Sequence, residues 1–318
     1  MAGANPPQPP LAMTVSAEAR SAMTPLLNVT ATTETTIKLL RNPITRRALR
    51  AAAAFHLRPL SKKRAARFGV EVGKARVAGV PIKVVRRRDA ADDEKRLLIN
   101  FHGGGFAVDS GSLTESIPIA GMTAIPVFSV MYRMAPEHSY PAAVDDALAV
   151  YRDALQGRSP DRIGIFGTSA GAILTLQLLV RIKSEGLPTP AAAGFFSGSA
   201  DLAQASDCEG FLPALFEGRA SPDALAEYIG SAERTDPLLS PIYGDLAGLP
   251  PTLLMTSTRD QLLSQTVRAD LALRRAGVAT DLRVYEGMLH AFWAWIECPE
   301  SDDALAAQAD FFAKHLKA

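Results

Sequence analysis

Between Arg162 and Val180 the chain runs from a short apolar stretch through five small residues into a long apolar stretch. Arg162-Ile163-Gly164-Ile165-Phe166 has the length and composition of a buried strand in a parallel sheet, where cover on both faces removes any polar alternation. Ala172 to Val180 is apolar on nearly every side, which suits a helix held between a sheet and a covering layer. Only Gly167-Thr168-Ser169-Ala170-Gly171 stands between them, room for one tight turn. Similar short strands are expected near Leu97, Val127, Ala193, Leu253 and Leu282, alternating with helical stretches. That alternation predicts an α/β fold with a mostly parallel central sheet and helices on both faces. No internal repeat is present.

The turn has the pattern G-x-S-x-G, which lifts one serine hydroxyl above a sheet edge. A hydroxyl becomes a useful nucleophile only beside a base and free amides. Alone, the pentapeptide suits an ordinary helix start equally well, with Thr168 or Ser169 as N-cap. A second passage breaks the tie. The strand-like Leu97-Leu98-Ile99-Asn100-Phe101 runs into His102-Gly103-Gly104-Gly105-Phe106. Three glycines after a strand let the backbone come close to a ligand and turn its N–H groups outward. An oxyanion hole is built this way and accompanies the serine turn in lipases and esterases.

These residues, with Tyr132-Arg133-Met134-Ala135-Pro136-Glu137-His138 and Tyr140-Pro141-Ala142-Ala143, carry a resemblance. From about residue 70 onward the chain resembles the hormone-sensitive-lipase-like branch of the α/β-hydrolases, the bacterial family IV esterases. Thr168 and Ala172 stand where the commoner elbow of that branch has Asp and Gly, which resembles the GTSAG subgroup. The resemblance implies an α/β-hydrolase fold with a helical cap, and hydrolysis of short- to medium-chain esters.

A base and its orienting acid remain to be placed. Of His56, His102, His138, His290 and His315, only the last two follow the serine as the order Ser, acid, His requires. His315 sits in what reads as a frayed terminal helix, whereas His290 follows a strand pattern over Thr280–Tyr285 and a short loop. His290 is therefore the expected base. Asp260 ends a strand pattern with a polar tip; Asp236 opens Asp-Pro, more often a turn start. The resemblance also implies an acid just beyond the strand before the histidine strand, so Asp260 is chosen and Asp236 is read as structural. The expected oxyanion donors are the N–H groups of Gly103, Gly104 and Ala170.

The 318 residues, 47% of them hydrophobic, suffice for a large core, and a net charge of +1 argues against nucleic acid as the main partner. Arg86-Arg87-Arg88 and Ser61-Lys62-Lys63-Arg64 are read as solvated strand ends and helix faces. Cys208 and Cys298 fit a reducing cytosol, with their pairing left open. No secretory signal or membrane-spanning stretch is read in the N-terminal part, so a cytoplasmic location is expected.

Residues 1–68 are expected as an N-terminal helical cap segment, its first dozen or so residues disordered. Residues 69–199 and 250–318 form the expected catalytic domain, and 200–249, where the strand–helix alternation fails, a cap insertion. Apolar Leu26, Leu27, Ile37, Leu39 and Leu40 are expected to pack on that insertion over Ser169. The expected partner is a small-molecule ester, with no metal or organic cofactor, no nucleic acid and no membrane span; a homodimer stays open. A receptor-like member of the fold without catalysis, and an amidase, lactonase or acyltransferase with the same residues, are the alternatives. His290 alongside Ser169 and Asp260 weighs against the receptor.

Overall fold

The computed structural model describes residues 11–25, 39–89, 95–211 and 225–317. In chain order it contains α1 (Ala17–Met23), α2 (Pro43–Arg67), β1 (Val70–Val77), β2 (Val80–Arg87), β3 (Leu97–Phe101), α3 (Ser112–Thr123), β4 (Val127–Val130) and α4 (Ala142–Gly157). There follow β5 (Ile163–Thr168), α5 (Ala170–Ser184), β6 (Ala192–Phe196), α6 (Asp207–Phe211) and α7 (Ala226–Ile229). β7 (Thr252–Arg259), α8 (Leu263–Arg275), β8 (Thr280–Leu289), α9 (Phe292–Trp295) and α10 (Pro299–His315) come last.

The strands form one sheet in the order β1-β2-β4-β3-β5-β6-β7-β8. β1 and β2 pair antiparallel, as do β2 and β4; every pairing from β4 to β8 is parallel. β3, β5 and β6 are buried throughout, which is why their sequences show no alternation. Their side chains still divide by parity between two cores. Leu97, Ile99, Ile163, Ile165, Ala193 and Phe195 join one core with α4, α5 and α8. Leu98, Phe166, Ala192 and Phe196 join the other with α1, α3, α9 and α10. The sheet is thus covered on both faces, as the sequence predicts.

α2 begins at Pro43, with Asn42 Oδ1 accepting the N–H groups of Ile44 and Thr45 at 2.9 and 3.4 Å. It continues through Pro59 and buries only Ser61 and Arg64 among its residues. Arg64 corrects the reading of the basic run as a solvated face. Lys62 and Lys63 are exposed, but Arg64 turns inward and donates to the Thr114 carbonyl and, at 2.9 Å, to the Trp293 carbonyl. Those partners lie far along the chain, so local pattern gives no sign of them. Of the apolar residues expected on the N-terminal helices, Leu26, Leu27 and Ile37 lie outside the described residues.

The stretch 200–249 contains no strand among its described residues, and much of it does not sit over the strand ends. Leu239, Leu246 and Leu249 share the core of α5. Lys183, near the far end of α5, donates to Asp245 Oδ2 at 2.5 Å and to the Ala247 carbonyl at 2.6 Å. A helix of this length rises about 22 Å from its start. Asp245 and Ala247 therefore lie beside the far end of α5, away from Ser169. Tyr228 does reach the glycine loop, stacking on Phe106 with ring centroids 3.5 Å apart. Cys208 and Cys298 are both free and buried.

Candidate active site

Parallel strands β3, β5, β7 and β8 all finish at one edge of the sheet, where parallel α/β sheets gather their ligand-binding loops. Each is followed there by one expected site residue or loop.

Ser169 directly follows β5 with φ 58° and ψ −119°, a conformation a side-chain-bearing residue adopts only under constraint. The constraint is visible. Ser169 donates its N–H to the Phe196 carbonyl at 2.8 Å, which pins the turn to the end of β6. A Cβ at Gly171 would collide with the Phe101 carbonyl, and one at Gly167 with the Gly171 carbonyl. Only glycines let strand and helix meet this closely.

The His102–Phe106 loop follows β3 and lies against this turn: a Cβ on Gly103 would stand 3.3 Å from Ser169 Cβ. Its carbonyls are used on the inside. The His102 carbonyl accepts Tyr132 Oη at 2.7 Å, and the Gly103 carbonyl accepts Ser110 N at 3.3 Å and His102 Nδ1 at 2.8 Å. Because a trans peptide sets N–H opposite C=O, the N–H groups of Gly103 and Gly104 point the other way. Ala170 opens α5, so its N–H has no acceptor within the helix and adds the positive end of the helix dipole. The His102 imidazole is fully buried and stacks on Tyr132 at 4.3 Å. Burial holds its pKa below the usual histidine value, so it remains a neutral donor to its own loop.

Asp260 lies just past β7, fully buried, and its Oδ1 is 2.7 Å from Nδ1 of His290, which follows β8. Thr256 Oγ1 donates to Oδ2 at 3.0 Å and Leu262 N–H to Oδ1 at 2.9 Å. Burial alone would raise this carboxyl; the adjacent His290 and the bonds it accepts outweigh burial and hold it below the ordinary aspartate range. An ionised Asp260 accepts from Nδ1–H and leaves Nε2 with a lone pair. Asp236 is elsewhere, closing a turn by accepting Leu238 N–H at 2.9 Å. His315 ends α10 with its ring 4.5 Å from that of Phe311.

Beside His290 opens a cavity of about 870 Å³, walled by Leu57, Pro59 and Leu60 of α2 and by Trp295 and Ile296. This lining comes from a later part of the N-terminal segment than the apolar residues singled out in the sequence, and it includes neither Ser169 nor the His102–Phe106 loop. Arg46 and Arg50 of α2 are fixed to Glu137 by ion pairs of 2.8 and 2.9 Å, and Arg50 also donates to the Ala107 and Ala135 carbonyls. Thr256 escapes sequence reasoning, because no spacing or composition marks it; α2 falls within the expected cap segment, but Leu57, Pro59 and Leu60 are not singled out there. Among the described residues no group of acidic, histidine or cysteine side chains is arranged to hold a metal ion, and no helix is long and apolar enough to cross a membrane.

Residues 98–294 match the family model of the alpha/beta hydrolase fold. The chain belongs to this family. It is 34% identical to an acetyl-hydrolase of Streptomyces hygroscopicus over 70% of its own length and 76% of that protein. The solved structure of an esterase, E25, superposes with a TM-score of 0.82 at 32% identity, covering 99% of both chains. An esterase from the bacterial hormone-sensitive lipase family gives a TM-score of 0.74 at 28% identity, over 90% of this chain and 98% of that one. The branch is thus the one that the glycine loop and the Tyr132–Ala143 block resemble.

Proposed function

We propose that this α/β-hydrolase is a serine carboxylesterase acting on short- to medium-chain carboxylic esters through an acyl-enzyme. Ser169 Oγ attacks the ester carbonyl while His290 Nε2 takes its proton, and Asp260 holds the imidazole tautomer and faces the imidazolium that forms. The N–H groups of Gly103, Gly104 and Ala170 receive the oxyanion. The proton passes from His290 to the leaving alcohol, and water then attacks the acyl-enzyme by the same route.

The observation that carries this reading is the 2.7 Å Asp260–His290 bond at the strand-end edge where Ser169 is held in its constrained turn. The names of the relatives, acetyl-hydrolase and esterase, support the ester class and a short acyl group. Residues 69–199 and 250–318 act as the catalytic unit, with α2 as the covering wall for the acyl chain. Two free thiols support a cytoplasmic location.

Ser169→Ala is the decisive variant. Loss of the nucleophile costs on the order of a million-fold in turnover in comparable enzymes. Hydrolysis of p-nitrophenyl acetate should vanish while the circular dichroism spectrum is unchanged. A folded variant retaining an appreciable share of wild-type rate would assign the nucleophile elsewhere.

A further inference from the structure

Beneath the turn that carries Ser169 lies a buried polar cluster that the proton transfers above do not use. Glu115 of α3 is 2% exposed, and its carboxyl is faced by the side chains of Thr168, Asn100 and Trp293 and by the Arg64 guanidinium. Its Oε2 has no hydrogen-bond partner within bonding distance. Asn100 Oδ1 is taken by Ser129 Oγ at 2.8 Å, and its Nδ2 nitrogen, like Glu115 Oε2, has no hydrogen-bond partner within bonding distance. Trp293 Nε1 donates to Thr168 Oγ1 at 3.3 Å, and Arg64 holds the Trp293 carbonyl at 2.9 Å.

The neighbours matter because of what they adjoin. Thr168 immediately precedes Ser169, and Trp293 lies in the short helix just after His290. The cluster therefore ties together the two chain segments whose side chains exchange a proton. A carboxyl buried with an unpaired oxygen is costly, and a well-packed apolar residue would hold α3 in place at less cost.

We propose that Glu115 is a positioning residue whose carboxyl, buried beside Arg64 and Asn100, sets the Thr168–Trp293 contact and through it the placement of Ser169 against His290. The inference rests on the catalytic roles given above to those two residues. It carries a pH signature. Burial pushes the Glu115 carboxyl up to about 7, against the opposing pull of Thr168, Asn100, Trp293 and Arg64. Arg64 also faces Glu297, Asp302 and Arg67, and burial lowers it to about 10, so it stays a cation at neutral pH. Tyr132, the other titratable group near Glu115, is kept neutral by burial. Glu115 thus changes charge across neutral pH. In its ionised form it sets a negative charge beneath a site where an oxyanion must grow, so turnover declines as pH rises through about 7.

The test uses Glu115→Gln, Glu115→Leu and Thr168→Val in the full chain, assayed with p-nitrophenyl acetate across neutral pH. Rates are normalised to the serine labelled by phenylmethylsulfonyl fluoride, so that loss of folded protein does not count. E115L and T168V should lower kcat roughly ten- to a hundred-fold with little change in KM, as small misplacements of reacting groups do. Combining them should add little, because both cut one link. The near-isosteric E115Q should keep more of the rate and lose the alkaline decline. If E115Q has the wild-type pH profile, or if the variants lose thermal stability but keep the wild-type kcat per labelled site, the proposal is overturned. Ser169→Ala runs alongside: retained activity there would instead remove the catalytic roles on which the proposal rests.

Discussion

Helices α5 and α2 both border the candidate site, yet they are held in opposite ways. Most of α5 is buried, between the sheet and the Tyr228–Leu239 layer. Even its polar Gln177 is taken up there, donating to the Leu239 carbonyl at 2.7 Å and accepting Tyr228 Oη at 2.6 Å. α2 leaves Ile44 and Phe55 79% and 76% exposed and is fastened largely by ion pairs: Arg46 and Arg50 to Glu137, Lys63 to Glu297, Arg67 to Asp302. Burying one large apolar side chain contributes about 1.5–3 kcal/mol, an exposed ion pair about 0–1 kcal/mol. The turn bearing Ser169 therefore stands on a stiff support, and the wall of the adjacent cavity on one whose outer face is looser, with Arg64 as its buried anchor. Chemistry needs the first property, and accommodation of varied acyl groups is served by the second.

The sharpest test of the stiff side is the acid. Asp260→Asn should lower kcat/KM roughly ten-thousand-fold, as in the serine protease template, while Asp236→Asn stays near wild type. Similar rates for the two would mean that the strand-end contacts of Asp260 do not orient the base. Next in size is stability. Leu174→Ala, in the buried body of α5, should cost about 2–5 kcal/mol in urea unfolding, and Phe55→Ala on α2 less than about 0.5 kcal/mol. Equal losses would break the contrast between the helices.

A smaller effect probes what the loose wall does. Leu60→Ala should weaken hexanoate esters more than acetate, by up to about 0.8 kcal/mol for each substrate methylene the wall buries. A loss of equal proportion on both substrates would take α2 out of the acyl pocket. The mildest effect concerns His102, whose native pKa burial holds below its usual 6.5. Between those two values the unfolded chain binds the proton and the native chain does not, so stability is lost as pH falls below about 6.5. His102→Asn should remove that acid limb from a plot of melting temperature against pH; an unchanged limb would place its origin in another group.

Much of this was legible in the sequence because the parallel sheet writes itself as apolar runs. β3, β5 and β6 are apolar on both faces, and the glycines of two tight turns mark where β3 and β5 end. Asp260 and His290 could be ranked above Asp236 and His315 because each follows a strand pattern. The buried polar groups stayed hidden for a physical reason. Arg64 sits in a basic run typical of a solvated helix face, and only partners 50 and 229 residues away take it inside. Glu115 likewise looks like an ordinary helical acid until Thr168 and Trp293 close over it. The 239–249 stretch reads as an insertion because its fit is to the side of α5, a surface that no periodicity in its own residues reports.

The collision that bars a Cβ at Gly171 has a bearing on how this protein can be altered. The obstacle is the main-chain carbonyl of Phe101, and no repacking of side chains relieves it. In a saturation library selected for hydrolysis, codon 171 should return glycine alone, while codon 168, where no main-chain atom bars a side chain but a hydroxyl meets Trp293, should admit serine beside threonine. The same contact gauges the glycine loop against the serine turn. A chimera that borrows His102–Phe106 from a relative without the matching start of α5 inherits two loops cut to different measures. Grafts made as a pair, with the end of β3 and the turn after β5 from one parent, keep that fit.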